Sequence, residues 1–198
     1  MSKEQPGGRL PGLRAWIFFC LCATLAWLGM LLVHEAGHIV VAGSTGGQVV
    51  RVVLHPLAIS RTDVVPNPAP LWVAWGGPVG GALVPLAVWW VARCKSCRCT
   101  GATQFFAGYC LLANGLYLAL GSFDAVGDAG DLLHLGVPHW GLLLFGFVSA
   151  SAGLWLWHRL GPLPGVRGTP EPTWSIVLRL AGLLAAVAGS EALLSPWD

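Results

Sequence analysis

Long apolar stretches without a single charged residue alternate along this chain with short polar connections. Asp, Glu, Lys and Arg are missing from 15–33, 64–92, 99–123 and 132–158. A fifth apolar stretch carries only Arg179 near its start and Glu191 near its end. Each stretch can hold the ~20 residues that a helix needs to cross a ~30 Å hydrocarbon layer. The pattern predicts five transmembrane helices, at about 15–42, 71–92, 102–123, 139–158 and 174–194.

The connection between the first two spans differs from a plain loop. Residues 48–55 are rich in β-branched side chains, a weaker run of the same kind covers 59–65, and Pro56 lies between them. This predicts a short β-hairpin at about 48–65, although an irregular interfacial loop fits the same residues equally well. The predicted fold is an all-α polytopic membrane protein with a β-hairpin after the first helix, forming one domain over 1–198.

Composition agrees with a membrane protein and excludes two other classes. Charged residues make up 10% of the chain, against about 25% in a soluble domain, so a water-soluble globule is excluded. The apolar share of 55% excludes a disordered chain. A net charge of +2 gives no reason to expect a nucleic-acid partner. We therefore expect a multi-pass protein in contact with the lipid bilayer of the cell (plasma) membrane.

The last part of the first predicted span contains residues 34–38, whose sequence His-Glu-Ala-Gly-His is the H-E-x-x-H pattern. On a helix, His34 and His38 lie one turn apart on the same face, so both imidazoles can reach one metal ion. Glu35 lies beside them, where it can take a proton from a metal-bound water. A chain of this composition contains the pattern by chance in roughly 0.4% of cases. The simpler alternative is a pair of interfacial histidines with Glu35 hydrogen-bonded locally.

A catalytic zinc site normally has three protein ligands, so the histidine pair requires a third. Asp124, Asp128 and Asp131 follow the third span and are three of the nine acidic residues in the chain. Their i, i+4, i+7 spacing puts all three on one face of a helical turn. Counting spans places them on the same side as the end of the first helix. A solvated acidic loop is the alternative for each aspartate, and His134 is a further candidate ligand.

This set of residues resembles the site-2 protease family of intramembrane zinc metalloproteases. The resemblance covers most of 27–140 and is specific at His34, Glu35 and His38, moderate at the Gly-Pro-containing stretch 75–81 and weak at the aspartate. It implies zinc held by the two histidines and an aspartate, with the glutamate as general base and a zinc-bound water as nucleophile. The implied activity is hydrolysis of a peptide bond in or near a substrate's transmembrane segment, as in regulated intramembrane proteolysis.

The chain departs from the family pattern in its second core helix and around its aspartate. The family usually carries Gly-Pro-x-x-Asn, but Gly81 occupies the asparagine position here, and Asn114 in the third span is the candidate substitute. The family's aspartate usually follows Asn-Pro and precedes glycine, whereas Asp128 precedes Ala129. The chain therefore looks like a shorter, divergent branch of the family.

Asp128 is the predicted third ligand, with Asp131 as second choice and Asp124 as third. Asn114, Gly77 and Pro78 are predicted to support the active site or the bound substrate. The paired glycines at 76–77 and 80–81 are predicted to allow close helix packing.

Two other functions fit the same residues. A catalytically inactive membrane scaffold or regulator would keep the protease fold, and a small metal-handling membrane protein would use the same histidines. Transport calls for further ionisable residues inside the other spans, and spans two to four have almost none. We therefore predict an enzyme, a zinc-dependent metalloendopeptidase acting on a membrane-protein substrate.

The membrane orientation has two contradictory indications. With five spans and the N-terminus inside, the inner side holds most of the basic residues and the outer side only Arg51 and Arg61. The positive-inside rule then places the predicted site near the outer face. The family resemblance implies the reverse, a site that opens toward the cytosol.

Three cysteines, Cys94, Cys97 and Cys99, lie just beyond the second span. Their spacing suggests a second metal site or a redox device, but no fourth ligand lies nearby in the sequence. We therefore expect free thiols beside the membrane, which are potential sites of lipidation.

Overall fold

The computed structural model describes residues 11–56, 60–165 and 169–195. Five of its helices are long and apolar enough to cross a membrane, and these coincide with the five predicted spans. The elements within these ranges are α1 (Leu13–Ser44), β1 (Val49–Val53), β2 (Arg61–Val64), α2 (Pro70–Cys94), α3 (Thr100–Asp124), α4 (Gly127–His134), α5 (His139–His158) and α6 (Trp174–Leu194). The predicted fold class is confirmed, and the five long helices mark a multi-pass membrane protein.

The predicted hairpin is present and is shorter than the apolar pattern suggests. β1 and β2 pair antiparallel, with Val52 opposite Thr62 and Val53 opposite Arg61. The register is irregular between Val49 and Arg51. Ile59, where the second strand was predicted to begin, lies outside the described residues. The hairpin leads the chain from the end of α1 to the start of α2.

Helix α3 lies at the centre of the bundle, with α5 packed on one side and α2 on another. Glycines allow the close approach of α3 and α5. A Cβ added at Gly115 would lie 3.0 Å from the carbonyl oxygen of Gly146, and one at Gly153 would lie 2.6 Å from that of Gly108. Small residues at such crossings let helix backbones meet inside a membrane, where hydrophobic burial gives no driving force.

Helices α1 and α2 also meet through glycine. A Cβ at Gly76 would lie 2.8 Å from the carbonyl oxygen of Gly37, which belongs to the H-E-x-x-H segment. The second helix therefore runs directly against the turn of α1 that carries His34 and His38. The paired glycines of α2 act in packing here, as their spacing suggested.

The end of α3 corrects the prediction for the three aspartates. Ala125, which follows the last residue of α3, and Gly127, which begins α4, both adopt left-handed backbone conformations, with φ of +51° and +55°. Asp124 is the last residue of α3, whereas Asp128 and Asp131 belong to α4. A single continuous helical turn with all three on one face was therefore wrong. The break turns α4 so that its first turn faces α1.

Candidate metal centre

Three of the predicted ligands meet at one point inside the bundle. His34 Nε2 lies 3.2 Å from His38 Nε2 and 2.9 Å from Asp128 Oδ2, and His38 Nε2 lies 3.4 Å from Asp128 Oδ1. Within the described ranges, this is the group of His, Cys, Asp and Glu side chains whose ligand atoms lie close enough together to hold a metal ion. Both histidines are buried, and Asp128 is partly buried.

The other ring nitrogen of each histidine is held by a hydrogen-bond acceptor. His34 Nδ1 donates to Asn114 Oδ1 at 2.7 Å, and His38 Nδ1 donates to the carbonyl oxygen of Val73 at 2.6 Å. The Asn114 amide is itself oriented, because its Nδ2 donates to the Cys110 carbonyl at 2.9 Å. These bonds fix the protonated nitrogen as Nδ1 in both rings and leave Nε2 as the free lone pair.

The resulting cluster fits a divalent cation. Two Nε2 lone pairs and a carboxylate converge within hydrogen-bonding distance of one another, and all three are acceptors. Only a proton or a metal cation between them makes this arrangement favourable. Two imidazoles and one carboxylate form the ligand set of many catalytic zinc sites, which keep a fourth position open. The residues present therefore fit the predicted zinc ion.

Asp128 has the protonation state that a ligand needs. When protons occupy Nε2 of His34 and His38, both rings donate to Asp128. These contacts outweigh the burial that disfavours its charged form and lower the pKa of Asp128 to about 2. A metal cation would take the place of those protons. The Asp128 carboxylate is therefore ionised at neutral pH. Asp131, the second choice, and Asp124, the third, are exposed and line the same cavity. Neither belongs to the cluster, so the structure favours Asp128 among the three aspartates.

Gly77 forms the surface against which the two imidazoles pack. A Cβ added at Gly77 would overlap the His38 ring at Nε2 and would lie 2.6 Å from His34 Nε2. Helix α2 can reach the cluster at this depth only because residue 77 has no side chain. Pro78, the next residue, is fully buried inside α2 and does not line the cavity beside the cluster.

Replacing Gly77 by Ala should therefore weaken zinc binding by at least about ten-fold, because the added methyl group pushes Nε2 of both histidines away from the ligand positions. Competition with a chromophoric chelator would measure the affinity of the purified protein. Gly43→Ala is the matched control, since a Cβ at this helical glycine of α1 meets no atom within 4 Å. Equal affinities of the two variants would contradict the prediction.

Asn114 occupies the space that a side chain at position 81 would need. A Cβ at Gly81 would lie 2.7 Å from both Nδ2 and Oδ1 of Asn114. The Asn114 amide thus reaches the space beside Gly81 from α3. Its contact in this chain is to His34, so Asn114 orients a ligand.

Asn114→Ala should lower zinc affinity by about 10- to 100-fold, because His34 loses the acceptor that fixes its tautomer and ring orientation. The same chelator competition would detect the loss. Gln104→Ala serves as the control: Gln104 is also a buried amide of α3, but it donates to the Leu156 carbonyl on α5. An Asn114→Ala protein that binds zinc like the wild type would rule out this role.

Glu35 is buried beside the cluster and is oriented by the hairpin. Its side chain is 2% exposed, and its Oε2 accepts a hydrogen bond of 2.7 Å from Thr62 Oγ1 on β2. Thr62 therefore sets the direction of the carboxylate that was predicted to act as general base.

The cluster opens into a cavity of about 1160 Å³. The cavity is lined by the second half of α1, the start of α2, the end of α3, helix α4 and strand β2. Glu35 and Asn114 also line it, as does His134, which is exposed and outside the ligand cluster. The space is mostly apolar around a few convergent polar groups, which is typical of ligand-binding sites.

The strand that faces this cavity is β2, not the stronger β-branched run. Strand β1, within the β-branched run at 48–55, does not line the cavity. Its outer edge contacts Ser195 instead, whose Oγ accepts from the Leu54 N–H at 2.8 Å and donates to the Val52 carbonyl at 3.2 Å. The β-branched residues at 48–55 predicted a strand there. Which strand faces the site follows from the tertiary packing, in which Thr62 of β2 contacts Glu35.

Two residues of the site were not found from the sequence, Thr62 and Tyr117. Tyr117 lines the cavity, and its hydroxyl accepts a hydrogen bond of 3.2 Å from the backbone N–H of Asp128. A signal for Tyr117 existed, because it follows Asn114 by three residues and so shares its face of α3. Thr62 carried no comparable signal in a stretch of mixed polar and apolar residues.

Cys94 at the end of α2, and Cys97 and Cys99 after it, are exposed and free. Within the described ranges they do not form a second cluster able to hold a metal ion. The prediction of free thiols beside the membrane agrees with this arrangement.

Comparison with family models, with curated proteins and with solved structures gives no match for this chain. The functional interpretation therefore depends on the geometry of the site itself.

Proposed function

We propose that this chain is an intramembrane zinc metalloprotease of the site-2 protease type, which hydrolyses a peptide bond in or near a transmembrane segment of a membrane-protein substrate. The observation that carries the proposal is the meeting of His34, His38 and Asp128 beside the buried carboxylate of Glu35. Such groups are costly to place within an apolar bundle, and in membrane proteins they mark functional sites.

His34, His38 and Asp128 would hold the zinc ion through Nε2, Nε2 and the carboxylate. When bound, zinc would supply a Lewis acid that polarises the scissile carbonyl and lowers the pKa of a water molecule toward ~7. Glu35 would accept a proton from the attacking water at its carboxylate and pass it to the leaving amine. Thr62 would hold that carboxylate in position, and Asn114 would keep the His34 ring aligned.

A helical substrate has to unwind before this chemistry can occur, because its backbone carbonyls are hydrogen-bonded within the helix. The cavity beside Glu35 has room for an unwound segment, and β2 forms part of its wall. Edge pairing with β2 would satisfy the backbone groups that unwinding exposes. The substrate is thus proposed to lie between β2 and the metal centre.

The test compares the membrane proteomes of cells that express either the wild type or Glu35→Gln. Substrates should accumulate with their transmembrane segments uncut in the Glu35→Gln cells. They should be cut in wild-type cells, with a new terminus in or near the span. If the two cell lines show the same set of intact membrane proteins and termini, the protease proposal fails.

A further inference from the structure

Tyr117 is tied to the candidate metal centre by three separate contacts. Its hydroxyl accepts the backbone N–H of Asp128 at 3.2 Å. Its ring lies edge-on to His34, with ring centroids 5.8 Å apart and planes at 81°. A Cβ added at Gly127 would overlap its hydroxyl oxygen. The hydroxyl is therefore held at a defined position against the residue that precedes the ligand Asp128.

The hydroxyl of Tyr117 still has a proton to donate. A phenolic oxygen can accept one hydrogen bond and donate another at the same time, and here the oxygen accepts from Asp128. Thr62 uses its hydroxyl proton on Glu35, and Asn114 uses one N–H of its Nδ2 on the Cys110 carbonyl. Tyr117 is thus a donor available to a molecule in the cavity, and its hydroxyl is held directly beside Asp128.

We propose that the Tyr117 hydroxyl donates a hydrogen bond to the oxyanion that develops on the scissile carbonyl during hydrolysis. This inference rests on the proposed function, because it needs the reacting carbonyl to lie beside His34, Asp128 and Glu35. The tyrosine keeps its proton throughout, so no bond of Tyr117 is made or broken. A donor that is fixed in advance stabilises the negative charge without rearranging during the reaction.

Two features make Tyr117 suited to this role. Its oxygen is anchored by a backbone N–H at the first turn of α4, and that bond also polarises the phenol and strengthens its O–H as a donor. Gly127 leaves space for the hydroxyl, because any side chain at position 127 would displace it. The same backbone segment thus places both the carboxylate ligand and the proposed donor.

The experiment uses the full chain in detergent, loaded with Co²⁺ in place of Zn²⁺, and acetohydroxamate as the probe. Acetohydroxamate presents a carbonyl oxygen and an anionic oxygen to a metal centre, and the visible absorption of Co²⁺ reports its binding. In Tyr117→Phe the dissociation constant for acetohydroxamate should rise roughly 10- to 100-fold, as expected for the loss of a hydrogen bond to a charged group. Cobalt content and the spectrum without acetohydroxamate should equal those of the wild type.

Tyr109→Phe is the matched control, since the chain has two tyrosines and both lie on α3. Tyr109 packs beside Trp157 instead of the cluster, so its variant should bind acetohydroxamate like the wild type. If Tyr117→Phe binds cobalt and acetohydroxamate as the wild type does, the role of Tyr117 is wrong while the metal centre stands. If Tyr117→Phe loses cobalt, its role is to position Asp128, and the donor proposal is overturned. If the wild type takes up no cobalt, both this proposal and the proposed function fail.

Discussion

Glu35→Gln is expected to slow cleavage of a substrate by about 10²- to 10⁴-fold while the protein keeps its zinc. The substitution removes the carboxylate that accepts a proton, and this contribution of a general base is of that size. The amide oxygen of Gln can still accept the hydrogen bond from Thr62, so the site keeps its shape. A membrane-protein substrate identified by the proteomic comparison, reconstituted with purified enzyme, would supply the rate, and elemental analysis the zinc content.

Glu191→Gln provides the control for this prediction. Glu191 is the other buried glutamate of a membrane-spanning helix, with 4% of its surface exposed, but it belongs to α6 and does not line the cavity. Its variant should cleave at the wild-type rate. A Glu35→Gln protein that retains zinc and full activity would exclude Glu35 as the base. Loss of zinc in that variant would assign Glu35 to metal binding instead.

The second large effect is expected at the ligands themselves. His34→Ala, His38→Ala and Asp128→Ala should each reduce bound zinc from about one ion per chain to nearly none, since a site with two remaining ligands holds zinc weakly. The affinity loss should exceed the 10- to 100-fold typical of residues that only orient a ligand. Elemental analysis of protein purified in detergent would measure it.

Matched variants separate this prediction from a general loss of folding. His158→Ala removes an exposed histidine at the end of α5, and Asp131→Ala removes the exposed aspartate one turn after Asp128. Both should retain zinc. If Asp131→Ala lost the metal and Asp128→Ala kept it, the ligand assignment would be wrong. Wild-type protein without zinc would contradict the whole site.

The position of Asp128 depends on more than the spacing of the three aspartates along the chain. Asp128 is the aspartate that lies in the cluster, but the three aspartates do not share one face of a continuous helix. The left-handed backbone at Ala125 and Gly127 interrupts the helix between Asp124 and Asp128. Helix α4 then begins with Asp128 against Tyr117 of α3. A spacing rule for one continuous helix cannot describe a segment that changes direction within four residues.

The sequence by itself determined the features that depend on local geometry or on the surrounding solvent. Five spans follow from the length and charge of each stretch, because a charge within the hydrocarbon layer is costly wherever it occurs. His34 and His38 face one point because four residues complete about one helical turn, whatever the rest of the fold.

Only the tertiary structure determined which residues join His34 and His38 in the candidate metal site. Asn114 and Asp128 lie 80 and 94 positions away from His34 along the chain, and glycines at 77 and 81 let α2 approach both histidines and the Asn114 amide. The same packing placed β2 next to Glu35 and Tyr117 next to Asp128. These contacts depend on the angle and depth at which separate helices cross, and a change of one methyl group alters either one. No local pattern along the chain encodes them.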